Sequence, residues 1–591
     1  MTGRGREWCR GGKKKVSSAR VSSETGSTLR ADLLLSNGNI ITLDSVSSTS
    51  EAVAIRGSKI VAVGTTADLD ARVAPDTRRM DLQGQTLLPG FFDTHAHMDR
   101  EGLKTLGGES LIGANSVSAI VERVAAAATR AKPGEWLVFM PMGGPPFDYV
   151  NNPSMLKEGR FPNRYDLDEV APDNPVFIRG VWGWWARPPF PAVANSEALR
   201  RCDISAASVD PYNIKIVRDP SGLPTGLFLE TNRTSLIEYT LFRNVPRFTY
   251  EDRLESVRRS SEIYSSLGTT SAYEAHGLTP ELLRAYREID ERGELSVRMS
   301  AAVSLPSSSM NRSRLIDVLD QWAPSAGGRG MGSGNFRVSG VTLDHSDPKI
   351  AAIIARDYPY VQWAGNFEQG ITSSEFVEIG IAAAQRKLRL NFLIATTPYH
   401  SVDGTLDMLE QIDKQAPIRD LRCVGFHLIN ASAQQLRRIR ELGLIITITP
   451  SFIYSHAAEL HLHKLGQDAC PIREVLDAGI PVTLGSDNVP PSMFFTAWEA
   501  LVRWDETGQQ HLGNSRLDRE EVLRLCCQSP HYINWEEDNR GVIAPGMAAE
   551  LMVFDANPLT CDIDLLPQLT PVLTMVDGRI VHDAGSGIPS I

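Results

Sequence analysis

The stretch Leu87-Leu88-Pro89-Gly90-Phe91-Phe92-Asp93-Thr94-His95-Ala96-His97 decides the fold. An apolar run passes through a Pro-Gly turn signal and ends in two histidines spaced i, i+2. Alternate residues of a strand point to the same side, so both imidazoles can face one point. Imidazole binds Zn²⁺ and similar borderline ions at about 2.0–2.1 Å, and two ligands on one rigid strand end lose little entropy when an ion arrives. A pair of half-exposed strand histidines is the plain alternative. Asp93 stands where it can orient a ligand histidine from behind.

Upstream of that stretch the pattern suits strands, Asp32 to Leu43 and then Ala52 to Gly64, with a hairpin signal at Arg56-Gly57-Ser58-Lys59. A matching piece closes the chain, Ala549 to Asp555 and Pro571 to Val581. Domain termini tend to lie close together, so residues 31–88 and 541–591 are expected to form one small β-sandwich module built from both chain ends. Between them, residues 89–540 alternate apolar runs with amphipathic helices, for example Asp252 to Leu267, Thr269 to Ala275, Ala433 to Leu442 and Leu444 to Thr449. Such alternation predicts an α/β fold, here a (β/α)8 TIM-like barrel. Aromatic and Pro-rich loops around Trp182, Trp184 and Phe190 interrupt it, placing an insertion at about 99–247. Trp182 and Trp184 either line a pocket or pack the core of that insertion.

The 71 acidic residues outnumber the 60 basic ones, a net charge of −11 that leaves no surplus to neutralise phosphates and argues against a nucleic-acid partner. Basic residues cluster only at the start, where residues 1–30 read as a disordered tail lacking the apolar segment of a secretory signal. No run is apolar and long enough for a bilayer. Seven scattered cysteines form no spaced framework, and a reducing cytoplasm is expected.

Active residues of a barrel sit at the C-terminal ends of its strands. His427 follows Cys423-Val424-Gly425-Phe426, and Asp487 follows Val482-Thr483-Leu484-Gly485-Ser486. Alone, His427 is as easily a core histidine, and Asp487 a turn or N-cap residue. Together with His95 and His97, they make four metal-type residues at predicted strand ends. Glu274 and His276 end another such run and are candidate pocket residues. His456, His461 and His463 read as part of a loop over the barrel mouth.

These residues resemble the amidohydrolase superfamily, and within it the N-substituted formamide deformylase-like branch (amidohydrolase family 3). Leu88 to His97 looks like the first-strand motif, Leu484-Gly485-Ser486-Asp487 the last-strand motif, and Gly541 to Leu551 the return to the β-module. Arg218 to Gly226, Ala194 to Leu199 and His427 to Ser432 are similar to branch markers. Two positions depart from the pattern: Thr342 stands where the resemblance expects a lysine, and no histidine ends the strand Leu390 to Thr396. His400, or His345 and Asp344, are candidate substitutes. The resemblance, with these departures, implies one divalent ion held by His95, His97, His427 and Asp487 in some combination. Zn²⁺ is the expected ion, and Fe²⁺ and Mn²⁺ are the alternatives. It further implies an enzyme that cleaves an amide-like C–N bond of a small molecule, with Asp487 as general base. A homodimer is left open. The alternatives are a decarboxylase, a cyclising or rearranging enzyme on the same fold, or a metal-free binding protein.

Overall fold

The computed structural model describes residues 29–144, 149–183, 187–395, 401–454, 469–505, 508 and 516–585. The basic stretch before residue 29 therefore lies outside the described residues, as do Trp184, His400, His456, His461 and His463.

Eight strands run parallel in the order β8-β7-β6-β5-β4-β3-β2-β1. They are β1 (Phe91–Asp93), β2 (Thr269–Leu278), β3 (Arg298–Ser304), β4 (Phe336–Leu343), β5 (Leu390–Leu393), β6 (Val424–Phe426), β7 (Ile445–Ile448) and β8 (Val482–Leu484). The ring is closed just past the strand ends. Thr94 donates from its amide (3.4 Å) and its hydroxyl (2.8 Å) to the Leu484 carbonyl, and the Asp487 amide donates to the His95 carbonyl at 2.8 Å. Phe92, Tyr273, Val424, Phe426 and Ile445 fill the interior, where the Tyr273 hydroxyl reaches Asn391 across the barrel at 2.6 Å.

Helices cover the outside, and their starts are written in the sequence. Thr249 with Asp252, Thr372 with Glu375, Ser432 with Gln435 and Asp518 with Glu521 each form a reciprocal capping box. Each cap contributes about 1 kcal/mol by satisfying amides that have no intrahelical partner. The helix Arg519–Cys527 buries Cys526 and Cys527 completely, so both thiols are core.

Between β1 and β2 the chain builds a separate five-stranded sheet, ordered Ile214–Arg218, Pro224–Glu230, Phe190–Ala194, Val176–Ile178 and Leu137–Phe139. The helix Asp99–Leu106 stays with the barrel instead, since Gly102 lets it approach the backbone of Ser256 too closely for any side chain. Glu230 is buried where the sheet ends and accepts the Leu236 amide at 2.6 Å. Burial pushes its carboxyl from 4.5 up to about 8. The folded state therefore holds a proton that the unfolded chain has released, and this contribution to stability is lost as pH rises from about 4.5 through about 8. Glu230→Gln is expected to flatten that part of the Tm-against-pH curve.

The two ends of the chain meet below the barrel in two facing sheets. One runs Lys59–Gly64, Ala52–Arg56, Leu33–Ser36, Arg78–Asp81. The other joins Thr86–Pro89 to Leu551–Phe554, with Leu88 opposite Met552. Leu35, Val53, Leu87, Leu551, Val553 and Met575 pack between the sheets. Gly57 takes a positive φ of 56° at the predicted hairpin. Arg298, at the N-terminal end of β3, pairs with Glu536 (3.0 Å), Asp577 (3.3 Å) and Glu550 (3.5 Å), tying the foot of the barrel to this module. Buried pairs of this kind add little net stability, because the cost of desolvating the charges offsets their attraction.

Candidate metal centre

At the C-terminal mouth of the barrel the chain brings together side chains from β1, β2, β6 and β8. His95 and His97 follow β1, Glu274 and His276 close β2, His427 follows β6 and Asp487 follows β8. Three of them, His97 (φ 43°), His427 (φ 64°) and Asp487 (φ 54°), occupy the left-handed region that non-glycine residues avoid. Such conformations cost about 1–3 kcal/mol each and persist where the surroundings enforce them, typically at functional sites.

The backbone that holds them is itself tied down. Asp93 is fully buried and accepts the His95 amide (3.1 Å), the Ser486 amide (3.0 Å) and the Ser486 hydroxyl. It thus orients the main chain of His95, where the sequence suggested that it would orient an imidazole. Burial pushes its carboxyl up to about 6, against the pull of the bonds from Ser486 and His95. Asn488 adds a bond to the His97 carbonyl at 3.0 Å.

The side chains converge on a short list of contacts. His97 Nε2 lies 3.1 Å and His95 Nε2 3.5 Å from Asp487 Oδ1, while His427 Nε2 lies 4.0 Å from Asp487 Oδ2. Glu274 Oε2 stands 3.0 Å from His97 Nδ1, and Thr449 Oγ1 3.2 Å from His427 Nδ1. Two triads, His95–His97–Asp487 and His95–His276–His427, each keep their ligand atoms within 4.8 Å of one another. His95 belongs to both. It is fully buried, and neither of its ring nitrogens has a hydrogen-bond partner.

The titration of the cluster follows from its surroundings. Burial, together with His427, His97 and His276 alongside, pushes His95 well below its usual value. Burial does the same to His276, and it pushes His427 down to about 4. Burial and Arg100 also oppose a charge on His97, but Glu274 and Asp487 prevail and lift it to about 9. Burial works against the Asp487 carboxylate, yet the hydrogen bond with His97 and the nearby His427 and Arg100 hold its pKa below the usual value. Neutral imidazoles with open nitrogens beside an ionised carboxylate are the donor set a borderline divalent ion needs. The buried His531 also lacks hydrogen-bond partners at both ring nitrogens; what singles out His95 is that it belongs to both triads.

The remaining predicted residues go elsewhere. Asp344 lies just past β4 and engages Gln369, whose side chain accepts its amide at 2.8 Å. Burial beside Glu368 pushes its carboxyl up to about 8. Neither Asp344 nor the half-buried His345 belongs to either triad. Trp182 stacks on Trp363, ring centroids 3.9 Å apart, in a packed cluster with Leu103 and Met140. Thr342 donates to the Ala275 carbonyl at 2.8 Å, bracing β4 against β2. Thr449 was not legible as a site residue, since only its position one residue past β7 hints at it. Loss of its hydroxyl in Thr449→Val is expected to weaken divalent-ion binding by about 10–100-fold, the usual effect of removing a group that orients a ligand histidine. Competition with a chelating dye checks it.

A sequence model described as the amidohydrolase family matches residues 78–582. An N-substituted formamide deformylase from Arthrobacter pascens is 26% identical over 573 residues, covering 94% of this chain and 99% of its own length. Protein LONG AFTER FAR-RED 3 of Arabidopsis thaliana is 24% identical, covering 89% of this chain and 88% of its own. Among solved structures, an uncharacterized metal-dependent hydrolase from Pyrococcus horikoshii superposes with a TM-score of 0.62 at 21% identity, covering 90% of this chain and 99% of that one.

Proposed function

We propose, from the premise that this chain belongs to the amidohydrolase family, that it hydrolyses an amide-like C–N bond of a small molecule with one divalent ion held among His95, His97, His427 and Asp487. The observation that carries this is the convergence of two triads of ligand-type side chains, His95–His97–Asp487 and His95–His276–His427, on the buried His95 imidazole. A divalent ion bound there supplies water activation near neutral pH and polarisation of the scissile carbonyl. Zn²⁺ suits the imidazole-rich donors, with Fe²⁺ and Mn²⁺ as alternatives.

The chain's own residues supply the proton chemistry. Asp487 stays ionised and is the general base: it accepts a proton from the attacking water and returns one to the departing nitrogen. His97 lies between Asp487 and Glu274, at 3.1 and 3.0 Å, and so fixes the carboxylate's position while the proton is in transit. Glu274 also accepts the His276 amide at 3.1 Å, which locks the end of β2. The deformylase relative makes N-substituted formamides the first substrates to try.

Elemental analysis of the purified protein is expected to find about one equivalent of a divalent metal, the number one such site holds. Dialysis against a chelator should abolish hydrolysis of a panel of formamides, amides and carbamates, and adding back Zn²⁺, Mn²⁺ or Fe²⁺ should restore it. Equal activity without metal, or a metal-loaded protein inert on the whole panel, would sink the proposal.

A further inference from the structure

We propose that His276, delivered by β2, is the third imidazole of the ion's ligand set. The ion is held by His95, His276 and His427, while Glu274, His97 and Asp487 form the hydrogen-bonded chain beside it. This rests on the hydrolase proposal above but revises its ligand set: His276 takes the place of His97 and Asp487 on the ion, and those two handle the proton.

The first observation is the state of each ring nitrogen. His97 has both nitrogens engaged, Nδ1 by Glu274 at 3.0 Å and Nε2 by Asp487 at 3.1 Å. His95 has both free of hydrogen bonds. His427 gives Nδ1 to Thr449 and keeps Nε2 at 4.0 Å from Asp487, beyond hydrogen-bond reach. Among the described residues the His276 ring makes only ring contacts, at centroid distances of 5.0 Å to His95, 5.0 Å to His97, 4.4 Å to Phe426 and 6.0 Å to His427. Three imidazoles with an open nitrogen thus stand in one triad, and the fourth, His97, is already bound on both sides.

The second observation is how β2 presents His276. Pairing between β2 and β3 shifts register between Glu274 and Leu278, so the strand bulges at its end. Gly277 sits in the bulge at φ 79°, and a Cβ there would stand 2.7 Å from the Ser304 amide nitrogen and 2.9 Å from Thr342 Oγ1. The Thr342 hydroxyl pins the bulge from β4 through its bond to the Ala275 carbonyl. Bulges re-aim side chains, and this one turns His276 toward His95, His97 and His427. Thr342 is the residue that replaces the lysine expected on β4.

The test is metal binding by the full-length protein, freed of metal by dialysis and titrated with Zn²⁺ against a competing chelator. His276→Ala and His276→Gln are each expected to raise the Kd at least ~100-fold, since loss of a ligand should match or exceed loss of a group that only orients one. His97→Gln is expected to change the Kd less than about tenfold, the lower end of the effect of removing a supporting group. X-ray absorption on the Zn²⁺-loaded wild-type protein should count three imidazoles, a result independent of whether any variant folds. Circular dichroism of the metal-free variants separates lost ligation from lost fold. Wild-type Kd in folded His276 variants, or two imidazoles and a carboxylate on the ion, would overturn this assignment in favour of His95, His97 and Asp487 and leave the hydrolase proposal standing. A wild-type protein that binds no ion overturns both.

Discussion

Asp487→Asn will cut kcat/KM by about 10²–10⁴-fold on any substrate the wild-type protein turns over, the range that loss of a positioned general base produces. The amide preserves the shape and still meets His97, but it cannot hold a proton taken from water. The carboxylate keeps its charge although it is buried, His97 lying 3.1 Å away and His427 and Arg100 nearby. Steady-state kinetics on the best formamide or amide of the panel check the prediction. A variant that keeps more than about a tenth of the wild-type rate rules Asp487 out as the base.

Gly485→Ala will damage stability and site together. A Cβ at residue 485 would lie 2.5 Å from the His95 Cβ and 2.7 Å from the His95 amide nitrogen, distances no packing tolerates. Neither neighbour can yield cheaply: His95 is bonded through its amide to Asp93, and its carbonyl accepts the Asp487 amide at 2.8 Å. The ends of β1 and β8 must therefore separate. Overpacking of this kind costs about 1–3 kcal/mol, read as a fall in the urea midpoint. Displacing the histidines by about 1 Å is expected to cost a further ~10²-fold in turnover. Normal stability with normal kinetics would show that β1 and β8 do not close as described.

This glycine also shows what a sequence discloses. The order of strands and helices was legible because periodicity, capping residues and turn glycines act locally: the helix expected from Asp252 to Leu267 spans Tyr250–Ser266, and the strand at Val482 to Leu484 spans those residues. The four residues His95, His97, His427 and Asp487 were legible as strand-end side chains of metal-binding type, and folding gathers them at one mouth. Other features depend on contacts between distant segments and leave no local trace. The pairing of Glu274 with His97, the support of His427 by Thr449 and the near contact of Gly485 with His95 are of this kind. Asp344 and His345 stand past β4 as a ligand might, yet the site passes them by, because neighbours absent from the local sequence decide where their side chains go.

The antiparallel pairing of Thr86–Pro89 with Leu551–Phe554 sets a timetable for biogenesis. Most of the polypeptide must leave the ribosome before those two segments can meet, and pairing between such remote partners is slow. Until then Leu87 and Leu88, both fully buried in the finished molecule, wait uncovered on the nascent chain. The early portion should accordingly depend on chaperone protection during translation, and truncations lacking the last hundred or so residues should aggregate rather than yield a smaller folded enzyme.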